Sequence, residues 1–214
     1  SETEIRNSVA ATLYSLWRSR ILANTIDSVL ERVGLGSHRP DSERSLSALR
    51  HLLEQFDTRQ GVGYSGLNFF EVEGIGDPSD ARDFLILKSL EEALARAASA
   101  EFAPAFGEST NLRDYRWGYL HRVVFSHPLG SGFTVPPAGG FPDLSPQLPG
   151  LARPGGFEVV DASGHSARAD GVQGFRFGSG PARRFVAELD PAGIRAFQTV
   201  AGGPGGDPSE PEYA

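Results

Sequence analysis

Apolar positions recur at helical spacing along the first third of the chain. Val9, Leu13, Leu16, Trp17, Ile21, Ile26, Val29, Leu30 and Val33 fall mostly three or four residues apart, which predicts one helix over 7–33. Gly34 supplies its stop, and Ser1-x-x-Glu4 has the form of a capping box slightly upstream. A second helix is predicted from Ser42 to Phe56, capped by Asp41 or Ser42, with Leu46, Leu49, Leu52, Leu53 and Phe56 on its buried face. The strongest helix start is Asp77-Pro78-Ser79-Asp80, which combines an Asp cap, Pro at the first helical position and a carboxylate near the positive end of the dipole. It leads into Phe84, Leu87, Leu90, Leu94 and Ala97 as the expected apolar face and ends before Pro104.

Beyond Pro128 the helical period disappears. Gly139 to Gly156 reads as a Pro/Gly-rich surface loop with few backbone donors to offer a ladder. Short runs of β character follow at Phe157–Val160, Val172–Phe177, Arg184–Leu189 and Ile194–Val200. Asp190-Pro191-Ala192-Gly193 carries turn chemistry between the last two. The fold class is therefore α+β, with 1–106 mainly helical and 107–214 mainly strands and Gly/Pro-rich loops, treated as a single region 1–214.

Composition sharpens this picture. Of 26 Gly and 15 Pro, residues 128–214 hold 17 and 12, about one-third of that stretch. Such a share brings low complexity into view, but the β runs punctuate it as turns punctuate strands. The net charge of −7 has no basic cluster to offset it, which argues against a nucleic-acid or anionic-membrane surface. The absence of Cys removes disulfides, thiolate nucleophiles and Cys-ligated zinc. The chain has no Met and opens on Ser1, which reads as a chain cut from a larger protein.

Several residues could carry chemistry. Gly61, Gly63 and Gly66 fit a bare GxGxxG pattern, but no Lys-Ser/Thr follows and no clear helix opens there. A Gly-rich connection with an aromatic anchor is the better reading. His121 and His127 lie six apart, on one face of an extended stretch. As metal ligands they lack a nearby third donor, and as a base for Ser126 either needs help from the fold. The plain alternative is a pair of imidazoles hydrogen-bonded to backbone. Ser1 could be nucleophile and base in one residue through its α-amine, or simply a cap at a cut end. His38, His51 and His165 read as surface or capping residues, Glu91 and Glu92 as solvated, and Arg183 and Arg184 as structural pairs or a carboxylate hold. No catalytic, cofactor-binding or metal-binding residue is assigned on these grounds.

Four segments in order carry a resemblance. Trp117-Gly118-Tyr119-Leu120-His121-Arg122-Val123-Val124-Phe125-Ser126-His127-Pro128-Leu129 resembles a signature late in the large subunit of the penicillin acylases, which are N-terminal-nucleophile amidohydrolases. Gly180-Pro181-Ala182-Arg183-Arg184-Phe185-Val186 resembles the family's following strand. Gly202 to Tyr213 resembles a later Gly-rich segment, with Pro204, Gly205, Asp207, Glu210 and Glu212 departing from the usual residues, and Ser8 to Trp17 resembles an upstream helix.

The resemblance implies part of an αββα sandwich and an amide hydrolase matured autocatalytically from an exported precursor, periplasmic or secreted. Its nucleophile, an N-terminal Ser, and its oxyanion hole would lie outside this chain, as would any calcium site. No cofactor is implied here. The implied partners are the small subunit, the rest of the large subunit and a small acyl-amide substrate, with no nucleic acid and no membrane. The alternative is a stand-alone, non-catalytic binding module.

Overall fold

A computed structural model describes residues 6–124, 148–156, 159, 161–177 and 183–200, the last stretch as backbone only at 183–186 and 197–200. The chain divides into a helical unit, Ser8–Arg116 with Ser166–Phe175, and a second unit, Ser1–Asn7 with Trp117–His165 and Arg176–Ala214.

In the helical unit, helix α1 spans Val9–Leu22 and is capped by Ser8, whose Oγ accepts from the Ala11 amide at 3.1 Å. The Ser1–Glu4 capping box lies outside the described residues. The helix continues through one π turn, Ala23–Asp27, into α2, Ser28–Arg32. The five-residue step from Ile21 to Ile26 is what the π turn accommodates, since the wider turn returns both side chains to the core. At the end Gly34 takes a φ of 76°, its amide bonds to Glu31 O at 3.0 Å and the Leu35 amide to Leu30 O at 2.7 Å. This is a Schellman stop at the glycine the pattern marked.

Helix α3, Ser42–Glu54, starts where expected, with Asp41 Oδ1 accepting from the Arg44 amide at 2.8 Å. It buries Leu46, Leu49 and Leu52 and passes into the short α4, Phe56–Arg59. The Gly61–Phe70 connection is closed by an antiparallel bridge between Val62 and Asn68. Its aromatic anchor is Phe70, 1% exposed and edge-on to Phe56. Gly61, at φ 82°, lies against the Phe70 ring, where a side chain would collide.

Helix α5, Pro78–Ala97, has its predicted cap: Asp77 Oδ1 accepts from Ser79 and Asp80 amides at 2.8 and 3.1 Å. Its buried face matches the predicted one at Ala97 but not at Phe84, Leu87 and Leu90. Ala81, Leu85, Ser89, Ala93 and Ala97 are buried, whereas Phe84, Leu87 and Leu90 are 44%, 65% and 38% exposed. Small residues at four-residue spacing let α5 lie close along α1, and polar side chains at the seam find partners there. Trp17 Nε1 donates to Ile86 O at 3.1 Å, and Glu92 accepts from Lys88, from Arg20 at 2.9 Å and from Asn24 at 3.0 Å. Glu92 is thus an internal ion-pair hub and not a solvated carboxylate. Two short helical turns follow, a 3-10 turn at Ala100–Phe102 and α6 at Ala103–Phe106.

The segment 166–175 belongs to the helical unit because Arg168 ties it there. Its guanidinium donates to both oxygens of Asp27, to Pro40 O at 2.9 Å and to Ser45 Oγ at 2.6 Å. The β run expected at Val172–Phe177 is instead a 3-10 turn, Val172–Phe175. Gly171, at φ 78°, and a close approach of Gly174 to Ala169 turn the chain too tightly for a strand, and the turn buries Phe175 against Phe102.

In the second unit a single helical turn, α7 (Trp117–Leu120), leads into β1 (Arg122–Val123). Strand β2 (Leu151–Ala152) pairs antiparallel with β1, Arg122 opposite Ala152 and Val123 opposite Leu151. The end of the expected surface loop is therefore paired and partly buried, with Leu148 3% exposed. Strands β3 (Arg183–Asp190) and β4 (Gly193–Val200) form an antiparallel hairpin from Arg183↔Val200 to Asp190↔Gly193. The turn falls at Pro191-Ala192 as read from the sequence, with Asp190 Oδ1 accepting from the Ala192 amide at 2.7 Å. The run Phe157–Val160 lies outside the described residues, apart from an exposed Val159. The described architecture is α+β, helical first and with small antiparallel sheets later.

Candidate functional site

The motif at 117–122 builds a buried cluster of aromatic and polar side chains among the described residues of the second unit. Trp117 is 1% exposed and its indole N–H donates to Gly155 O at 2.8 Å, which fixes the ring. One helical turn later His121 stacks on it, ring centroids 4.8 Å apart and planes 9° from parallel. Phe177 covers the other face of His121 at 4.4 Å, and His165 stands edge-on at 5.4 Å.

His121 is 0% exposed. Its Nδ1 lies 3.0 Å from Arg153 O. A carbonyl oxygen only accepts, so Nδ1 carries the proton and the neutral ring leaves Nε2 as an acceptor. Nε2 is buried and meets no donor among the described residues. Burial, which outweighs the favourable Arg153 carbonyl, pushes the imidazole pKa down to about 4. The ring is therefore neutral at pH 7, and proton transfer by it is far from matched to that pH.

His165 is 5% exposed and packs against Trp117 and His121. Nothing local in the chain links position 165 to 121, so this contact arises from tertiary structure alone; the surface reading is corrected. His51 stacks on Tyr64 at 5.5 Å, and His38 is an exposed residue beside Ser37. His127, Ser126 and Ser1 lie outside the described residues, as do the side chains of Arg183 and Arg184. Among the described residues no group of three or more His, Cys, Asp or Glu could hold a metal ion.

Arg122 is the residue that sequence reasoning passed over. It is 2% exposed, and its guanidinium donates to Pro149 O at 2.9 Å, Gly118 O at 3.3 Å, Leu148 O at 3.2 Å and Gly150 O at 2.6 Å. A Pro/Gly segment carries many acceptors and few donors, and arginine is all donors. That complementarity seats 148–150 beside β1. The signal was present in the sequence only as an arginine beside a motif histidine and a Pro/Gly run some 25 residues on.

The chain is thus an α+β polypeptide whose late motif forms a closed, aromatic-walled imidazole site. A family model described as penicillin amidase matches residues 2–214, and the chain belongs to that family of amide hydrolases. Neither a curated protein nor a solved structure was found to match it. No helix among the described residues is long and apolar enough to cross a membrane.

Proposed function

We propose that this chain is the framework portion of an acylase that splits an acyl group from an amine in a linear amide through an acyl-enzyme. The observation that carries the reading is the family match along residues 2–214. In this reading the nucleophile is an N-terminal Ser on another segment of the same processed precursor, whose α-amine acts as base. His121, sealed between Trp117 and Phe177, then shapes and stiffens the scaffold and moves no proton. No cofactor takes part in this chain's contribution, and the protein works in the periplasm or outside the cell.

Two features favour a partner segment over a stand-alone binding module. Phe84, Leu87 and Leu90 form an exposed apolar stripe along α5, and Leu189 and Ile194, opposite each other in the β3–β4 register, are 80% and 71% exposed. A two-stranded ribbon is marginal in water without a further layer, so the hairpin suits addition to a larger sheet. The test is co-expression of the 214-residue chain with the remainder of its parent polypeptide, followed by assay of amine release from an acyl anilide. Activity that needs both pieces, with a new N-terminal Ser detected by mass spectrometry, is the expected result. Full activity of the chain alone would overturn it.

A further inference from the structure

Arg168, Arg122 and Arg176 are each at least half-buried and differ in what meets them. Arg168 is met by a carboxylate, Asp27, whose side chain is only 9% exposed. Among the described residues no carboxylate meets Arg122 or Arg176. Val123 pairs in parallel with Phe177, and the Phe177 amide donates to Arg122 O at 3.0 Å, so Arg122 and Arg176 are lateral neighbours one step back along the same pairing. Arg122 is almost wholly buried, and Arg176 is half-buried with a buried Nε that meets no acceptor among the described residues. No ion pair among those residues reaches either group. Burial lowers the pKa of both, and the charge of Arg176 lowers Arg122 further.

We propose that Arg176, backed by Arg122, binds a carboxylate anion in the second unit. Arg122 has committed Nε, Nη1 and Nη2 to carbonyls and contributes mainly its charge. The Arg176 Nε meets no acceptor among the described residues, and the plane of the guanidinium fork matches a carboxylate through two parallel hydrogen bonds. Two adjacent, partly desolvated cations raise each other's energy, and one anion between them relieves both at once. This site stands apart from the proposed acyl transfer and does not depend on it.

The test uses the full 214-residue chain and two readouts, the arginine Nε–Hε resonances and the thermal midpoint. Acetate is titrated against chloride at equal ionic strength and pH, with Arg176→Gln and Arg176→Lys as variants. One Nε–Hε resonance, missing from both variants, should shift saturably with acetate, and the midpoint should rise in the parent chain alone. The lysine variant keeps the charge but loses the fork, so its acetate affinity should fall several-fold. The proposal is overturned if chloride reproduces the acetate response, if sulfate binds where acetate does not, or if a variant keeps the full response. Should neither variant fold, the saturable acetate shift of the parent chain, set against the chloride titration, still decides it.

Discussion

At the scale of single residues, His121 and Arg122 occupy adjacent positions and do opposite things with burial. His121 gives up its charge: its pKa is held at about 4, against an ordinary 6.5. In the unfolded chain it protonates below about 6.5, while in the folded chain it stays neutral until about 4. Stability is therefore full above that window and falls as the pH drops through it, by up to ~3 kcal/mol. Urea midpoints measured across the window should show this limb, and His121→Phe, which keeps the stacking with Trp117 and Phe177, should flatten it. An unchanged slope in the variant would assign the limb elsewhere.

Arg122 keeps its charge and satisfies four carbonyls instead. Arg122→Lys retains the cation but cannot spread its donors over acceptors from Gly118 to Gly150. Leaving buried acceptors unmet should cost about 3 kcal/mol, read as a lowered urea midpoint. A loss within experimental error would mean that the carbonyls find other donors.

At the scale of elements, the seam between α1 and α5 is governed by Glu92. Burial alone would raise its pKa, but hydrogen bonds from Lys88, Asn24 and Arg20 outweigh that and bring it down to about 2. The stability it supplies is present above the unfolded value of 4.5 and is lost as the pH falls towards 2. Its side chain is 29% exposed, so screening trims the benefit. Glu92→Gln should cost about 1 kcal/mol at neutral pH and remove the acid limb below about pH 4.5, leaving the His121 limb in place. Equal acid limbs in both proteins would contradict the assignment.

The same helix shows where sequence pattern reaches its limit. Caps were legible because they act within one turn: Asp41, Asp77 and Gly34 all sit where the pattern placed them. So was the β3–β4 hairpin, whose turn residues are adjacent in the chain. The buried face of α5 was not legible. Its stripe of Phe and Leu is the more hydrophobic one, yet the face that meets α1 is chosen by small residues and by the polar partners α1 offers. The Val172–Phe175 turn was missed for a related reason, since its fold is set by glycines packing against residues that apolar periodicity does not weigh. The His121 site was half visible: Trp117 and His121 share a motif, whereas His165 and Phe177 arrive through tertiary structure alone.

At the scale of the whole molecule, the exposed apolar surface on α5 is one that the packing of the described residues leaves unused. Phe84, Leu87 and Leu90 lie three residues apart on one side of the helix, so they form a continuous stripe and not scattered surface leucines. Because about half of each side chain is already covered, replacing all three by Ser should lower the chain's own stability by about 2–3 kcal/mol. If the stripe seats another segment of the parent acylase, the same triple substitution should sharply weaken complementation. Amine release from the co-expressed pieces would fall well beyond what the modest drop in the isolated chain's urea midpoint accounts for. Joining the two measurements separates a docking loss from a folding loss. Undiminished complementation by the triple variant would remove α5 from the interface and leave the β3–β4 hairpin, with Leu189 and Ile194 outward, as the surface to test next.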